Sequence, residues 1–337
     1  MSSEREGPCG IRRAPLRSLL FVPGTRTDRL AKAETSGADA AILDLEDAVA
    51  EQDKGAARER VAEAVARRSA ADTDDGGSTG DREPTRGSGG MALFVRINPL
   101  DSWQAAEELR AVARPGLTGL VLPKVRSEED VRIADRLLSW CEREHGLPVG
   151  TFALVPLLET ARALRNAHDV AAAAPRVAYA GALTAPGGDV ERAVGYRWSP
   201  EGAETHALRS RVLLDVRAAG AEHPVSGLWT HIGDLPGLRR FAEENRSLGY
   251  AGMMAIHPSH VPVINEVFSP DADELARAER LITAVRDAQA AGTGAVTFEG
   301  RMVDEAMAAN AREVLMRHGR RVAPAEADAE GGTSHSA

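Results

Sequence analysis

Short aliphatic runs recur along this chain, and most are followed by a longer stretch with apolar residues at three- and four-residue spacing. The runs are LLFVPG (19–24), AAILDLED (40–47), ALFVRINP (92–99), GLVLPKV (119–125), FALVPLLET (152–160), RVAYAGA (176–182), PVSGLWT (224–230) and GMMAIHPS (252–259). Near-continuous apolar runs are the pattern of parallel strands buried on both faces. Helical spacing fills stretches such as 28–36, 52–67, 127–144 and 235–248. Repeated strand–helix units of this kind predict an α/β protein, a (β/α)8 TIM barrel. A doubly wound sheet is the alternative. It usually has fewer strands, and no glycine fingerprint follows the first run.

Three segments break the pattern. Residues 1–15 are polar and without periodicity, and read as a disordered arm. Residues 68–90 (RSAADTDDGGSTGDREPTRGSGG) hold almost nothing apolar, so they read as a flexible loop inserted in the barrel. The tail, 321–337, reads as disordered for the same reason.

Composition narrows the class. Fifty Asp and Glu against 41 Lys and Arg argue against a nucleic-acid or membrane-surface partner, which would favour a basic face. The two cysteines, Cys9 and Cys141, exclude a disulfide scaffold and fit a reducing compartment. No run approaches the length of a membrane span, and MSSEREGPCGIRRAP lacks the apolar centre of a signal peptide, so a cytoplasmic protein is expected.

A barrel places its chemistry at the C-terminal ends of the strands. Those ends read Pro23-Gly24, Asp44-Leu45-Glu46-Asp47, Arg96-Ile97-Asn98-Pro99, Pro123-Lys124, Glu159-Thr160, GALTAPGGD (181–189), Trp229 and His257-Pro258. Glu159 follows an apolar strand and is either a helix-dipole carboxylate or a ligand for Mg²⁺, which takes one or two protein carboxylates. Asp189 is a turn aspartate or the second ligand. Arg96 is the fork for a carboxylate, or a structural ion pair with Asp44 or Glu46. Asp44, Glu46 and Asp47 orient metal-bound water or cap a helix. Lys124 snorkels to solvent or holds an anion, and His257 reads as a packed, hydrogen-bonded residue. There is no H-x-x-x-H pair, G-x-S-x-G elbow, Walker loop or paired C-x-x-C. A hard cation beside an arginine suits a 2-oxo or 2-hydroxy acid, with the metal as Lewis acid in C–C cleavage or condensation.

Several stretches are similar to the citrate lyase β-subunit-like group of the HpcH/HpaI aldolase superfamily, which includes malyl-CoA and citramalyl-CoA lyases. They are RSLLFVPGTRTDRL (17–30), GADAAILDLEDAVAEQDKGAAR (37–58), FVRINPLDS (94–102), GLVLPKV (119–125), PLLETARALRNA (156–167), RSRVLLDVRAAG (209–220), AIHPSHVPVINEVFSP (255–270) and FEGRMVDEA (298–306). The resemblance runs in order over about residues 16–318. It implies a barrel over 16–290 with a C-terminal helical lid over 291–320, a homotrimer or hexamer, and Mg²⁺ as cofactor. On motif match, Arg96 resembles the substrate-binding and catalytic arginine, Glu159 the glutamate shared by metal and substrate, and Asp189 the second metal ligand. Asp304 resembles the acid/base that a neighbouring subunit's lid supplies, and Arg17 matches a first-strand arginine placed near coenzyme A. Glu46 joins the catalytic set through its acidic cluster.

The chain departs from the family at three points. GALTAPGGD stands where F-G-x-x-D is usual, Met253 replaces the lysine of G-K-x-x-I-H-P, and Ala306 replaces the proline of M-[VI]-D-x-P. The resemblance therefore implies a Mg²⁺-dependent lyase cleaving a 3-hydroxyacyl-CoA to an acyl-CoA and a 2-oxo acid. A malate-synthase-like condensation or thioesterase on the same metal site, or a non-catalytic carboxylate-binding barrel, are the alternatives.

Overall fold

The computed structural model describes residues 13–74 and 90–317. The tail expected over 321–337 and residues 75–89 of the expected loop lie outside the described residues. Strands β1 (Ser18–Pro23), β2 (Ala40–Asp44), β3 (Ala92–Arg96), β4 (Gly119–Leu122), β5 (Ala153–Leu158), β6 (Gly181–Ala182), β7 (Val225–Ser226) and β8 (Gly252–Ala255) form one 8-stranded sheet. Its order is β6-β5-β4-β3-β2-β1-β8-β7, and every paired neighbour is parallel. His223 N–H donates to Ala178 O at 2.9 Å and Val225 N–H to Ala180 O at 3.2 Å, drawing the two ends of the order together into a near-closed barrel. The expected (β/α)8 fold is the observed one.

Helices follow the strands: α1 (Leu30–Thr35), α2 (Lys54–Asp74), α3 (Trp103–Val112), α4 (Glu128–Glu144), α5 (Ala161–Arg165), α6 (Ala167–Ala172), α7 (Asp189–Val194), α8 (His206–Ala218), α9 (Leu235–Leu248) and α10 (His260–Val267). Their starts have chemical causes. Ser127 and Asp130 form a capping box on α4, and Asp234 accepts from Gly237 N–H to open α9. Helix α2 runs to Asp74, past the end predicted at 67, so the expected loop starts later. Runs 176–182 and 224–230 yield only two-residue strands.

Two cores divide the strand residues by parity. Leu19, Ile42, Phe94, Val121, Val155 and Met254 belong to the cluster enclosed by the strands. Leu20, Leu43, Val95, Leu122, Leu158 and Met253 pack with helix residues such as Leu109, Leu138 and Phe241. Side chains alternate along a strand, so one step beyond the last apolar residue decides where a polar group points. For Asp44, Arg96 and Glu159 the inward parity applies. Each buried Leu or Ile stabilises the barrel by ~1.5–3 kcal/mol, and that cohesion holds these charges in place.

The opposite end of the barrel is tied by polar contacts. Arg176 donates to Asp135 Oδ1 and Glu142 Oε1, both at 2.6 Å, to Ser139 Oγ at 2.9 Å and to Phe152 O at 3.0 Å. The arm expected to be disordered over 1–15 is bonded at its end. Arg13 donates to Gly150 O and Thr151 O, and Ala14 O accepts from Tyr179 Oη at 2.6 Å.

The chain divides into two units, Met1–Ser269 and Pro270–Ala337. The second contains α11 (Ala272–Ala290), the antiparallel hairpin β9 (Ala295–Phe298) and β10 (Arg301–Asp304), and α12 (Glu305–Arg317). Its core joins Leu281, Ile282 and Val285 of α11 to Val303, Ala308 and Leu315. The boundary expected at 290 thus moves to 269, because α11 buries its apolar face in this smaller core. Among the described residues no helix is long and apolar enough to cross a membrane.

Arg176→Leu tests the tie at the far end of the barrel. Glu142 is fully buried, and removing its partner is expected to cost about 3–5 kcal/mol, read from the urea midpoint at constant m. A loss under ~1 kcal/mol would contradict the account of that tie.

Candidate active site at the strand ends

Asp44 and Arg96 are the last residues of β2 and β3 and face each other in register. Arg96 Nε donates to Asp44 Oδ1 at 2.7 Å and Nη2 to Oδ2 at 2.6 Å, a bidentate pair. The guanidinium lies 4.8 Å from the centroid of the Phe21 ring. Asp44 also accepts from Glu46 N–H and Ala48 N–H at 2.9 and 3.1 Å, which folds the loop back over the strand end. Gly24 permits this: a Cβ there would sit 2.7 Å from Asp44 O. The ion pair expected as the bland alternative therefore exists. It uses one edge of the fork and leaves the end-on edge, Nη1 and Nη2, for a second carboxylate.

Glu46 sits beside that edge, with Oε2 2.9 Å from Arg96 Nη1 and Oε1 2.6 Å from Lys124 Nζ. Neither approach has hydrogen-bond angles, so the contacts are charge pairs. Burial pushes the Glu46 carboxyl above its usual range, against the pull of Arg96 and Lys124. Burial also works against the Lys124 ammonium, but Glu46 and Asp47 outweigh it and hold that charge.

Glu159 follows β5 and is 3% exposed. Helix α5 is capped by Thr160, whose hydroxyl accepts from Ala163 N–H, so Glu159 is not needed as its cap. Its Oε1 accepts from Lys124 N–H at 2.6 Å. Burial is the main reason its pKa is pushed up to about 7; Glu46 and Asp189 add to the shift, while the Lys124 N–H and Arg96 oppose it. Desolvation without a full set of partners leaves this carboxylate receptive to a cation.

Glu159 and Asp189 line one open cleft of ≈ 290 Å³ with Pro99, Asp101, Lys124 and Arg126. Asp189 is the first residue of α7 and pairs with Arg192 one turn on. Among the described residues no three His, Cys, Asp or Glu side chains converge as a metal cluster. Two carboxylates on one cleft, one of them buried and short of partners, nevertheless fit Mg²⁺, whose remaining ligands are water and substrate oxygens.

A profile of the HpcH/HpaI aldolase/citrate lyase family matches residues 17–76 and 83–258. The chain belongs to this family. It is 36% identical over 304 residues to a citrate lyase subunit beta-like protein of Deinococcus radiodurans, covering 90% of this chain and 97% of that one. It is 30% identical over 303 residues to a (3S)-malyl-CoA thioesterase of Cereibacter sphaeroides, covering 90% and 94%. Among solved structures, protein CitE from Mycobacterium tuberculosis, in complex with magnesium, acetoacetate and coenzyme A, superposes with a TM-score of 0.67 at 29% identity. That match covers 92% of this chain and all of the other.

In this HpcH/HpaI family member the barrel brings Arg96, Glu46 and Glu159 together, and Asp189 shares the cleft with Glu159. Arg17 is not brought there. It precedes β1, at the opposite end of the barrel, where Asp39 accepts from its main-chain N–H, Nε and Nη2 and Ser269 Oγ accepts from Nη1. Its assignment as a substrate contact is corrected to a structural one, because a residue preceding a strand lies away from the C-terminal rim. Asp304 ends β10 in the second unit, is exposed, and accepts from Met307 N–H at 3.2 Å as the cap of α12. His257 Nδ1 lies 2.7 Å from Ser259 Oγ, the packed role expected.

The sequence reading missed a buried support behind the site. Lys54 Nζ donates to Leu45 O, Glu46 O and Asn98 Oδ1, at 2.9, 3.1 and 2.8 Å. Asn98 donates to Glu108 Oε1 and Oε2 through its side chain and main chain. No local pattern in the sequence signals it: Glu108 of α3 is buried and Lys54 of α2 half-buried only by the fold.

Glu159→Gln separates these electrostatics from folding. A buried carboxyl with a raised pKa binds its proton more tightly folded than unfolded, so its contribution to stability falls as pH rises from about 4.5 to about 7. With Mg²⁺ chelated, the variant is expected to melt a few degrees higher than the native protein at pH 8 and about equally at pH 5. Its response to added Mg²⁺ should be lost. A lower melting temperature at pH 8 would contradict the burial argument.

Proposed function

We propose that this protein is a Mg²⁺-dependent carbon–carbon lyase that cleaves a 3-hydroxyacyl-CoA of the malyl-, methylmalyl- or citramalyl-CoA kind to an acyl-CoA and a 2-oxo acid. The observation that carries the proposal is the pairing of a buried, partner-poor Glu159 with Asp189 on one cleft, near Arg96, whose Nη1 is paired with Glu46 and whose Nη2 keeps one N–H beyond its bond to Asp44. The match to a citrate lyase-like relative and to a solved neighbour crystallised with magnesium and coenzyme A supports it.

Glu159 and Asp189 would hold the ion, which when bound supplies Lewis-acid polarisation of the oxo-acid oxygens. The remaining N–H of Arg96 Nη2, beside the Glu46-paired Nη1, receives the carboxylate of the oxo-acid half. Asp44 fixes the plane of that fork, and Glu46 sets the charge beside it. Cleavage releases the 3-hydroxyl proton to water, converts that C–O to the carbonyl of the oxo acid as the C–C bond breaks, and leaves the bonding pair on the acyl-CoA carbon, which then takes a proton. Asp304 of a neighbouring copy is the proposed acid for that last transfer, which makes the working form a homo-oligomer.

Incubation of the purified protein and Mg²⁺ with malyl-CoA and citramalyl-CoA is expected to yield glyoxylate or pyruvate in equal amount to the acyl-CoA. Release of free coenzyme A thiol without any oxo acid would contradict the lyase and favour hydrolysis, the activity named for the Cereibacter sphaeroides relative. Absence of turnover with every such thioester would favour a carboxylate-binding barrel.

Asp304→Asn is expected to keep fold and oligomer while turnover falls ~10²–10⁴-fold. Mixed oligomers of Asp304→Asn and Glu159→Gln subunits should regain part of the activity. No recovery in confirmed mixed oligomers would contradict a site shared between subunits.

A further inference from the structure

Lys124 lies in a backbone region that L residues seldom adopt. Its φ is 49°, and among the described residues the only other non-glycine residue with positive φ is Glu299, in the hairpin of the second unit. Such a conformation is costly for a residue with a Cβ, and glycine is the usual occupant of a turn that needs it. It persists only where surrounding contacts over-determine it.

Those contacts are visible at both ends of the residue. Lys124 N–H donates to Glu159 Oε1 at 2.6 Å. Lys124 Nζ is 2.6 Å from Glu46 Oε1 and 3.1 Å from Asp47 Oδ1, bent back onto the β2 loop. The ammonium neither snorkels freely nor waits for an anion. A glycine here would supply the same N–H without strain, but not the tether.

We propose that Lys124 is a positioning residue for Glu159: its left-handed main chain aims an N–H at one carboxylate oxygen, and its side chain, held by Glu46 and Asp47, keeps that main chain in place. The other oxygen of Glu159 is then offered to a cation at a fixed angle. This rests on Glu159 being a metal ligand, and adds a residue that touches neither metal nor substrate through its side chain. The group that determines metal geometry is thereby coupled to the loop that carries Asp44 and Glu46.

The test uses Mn²⁺ as probe, with binding to the substrate-free full chain followed by loss of the free-ion electron paramagnetic resonance signal. Native protein is compared with Lys124→Arg, Lys124→Gly, Lys124→Ala and Glu159→Gln, each checked for a cooperative melting transition. Lys124→Arg is expected to stay near native. Lys124→Ala should weaken binding ~10–100-fold, the order found when groups supporting a ligand are lost. Lys124→Gly should fall between them, because glycine keeps the N–H and tolerates the positive φ. Equal affinity of native, glycine and alanine forms, with binding lost only in Glu159→Gln, would overturn the role of Lys124 and leave the metal site standing. Failure of native protein to bind Mn²⁺ would overturn the metal reading beneath it.

Discussion

Burial of the Glu159 carboxylate is the constraint on which the site depends. An apolar strand carries it to the lumen end of the barrel, where desolvation penalises its charge and its pKa climbs to about 7. Among the described residues, only Lys124 N–H hydrogen-bonds to it. Such a group is costly to fold around unless something neutralises it. A proton can do so below neutral pH, and a divalent cation shared with Asp189 can do so above it. The same physics that makes the ionised carboxylate costly to bury favours whatever neutralises it.

The rest of the rim manages charge around that centre. Asp44 commits one edge of Arg96 and orients the guanidinium, while Glu46 lies against Nη1 on the other edge. Glu46 would be a second unmatched buried carboxylate without Arg96 and Lys124 on either side. Lys54 holds the loop from behind through two carbonyls and Asn98, and Glu108 holds Asn98 in turn. Substituting Asn98 of this support is a different event from substituting Arg96: it alters where charges sit, not which charges exist.

Much of this was legible in the chain. Each aliphatic run became a strand, and parity past its last apolar residue placed Asp44, Arg96 and Glu159 inward. What escaped depends on contacts far apart in sequence. Nothing local in 52–67 announces that Lys54 reaches Asn98, and nothing near Glu108 announces a buried acid. Arg17 was drawn to the site by motif alone, although a residue that opens a strand lies at the wrong end of a barrel. The domain boundary was misplaced because the amphipathic pattern of α11 does not say which core it serves, and its partners Val303 and Leu315 come later in the chain. The left-handed backbone at Lys124 has no signature at all, since lysine gives no warning of positive φ.

The most direct test is a crystal structure of the protein soaked with Mg²⁺ and pyruvate. One ion bound by Glu159 and Asp189, with the pyruvate carboxylate or carbonyl meeting Arg96, is the predicted result. An ion held by other side chains, or pyruvate bound away from Arg96 with Glu159 and Asp189 bare, would contradict the account.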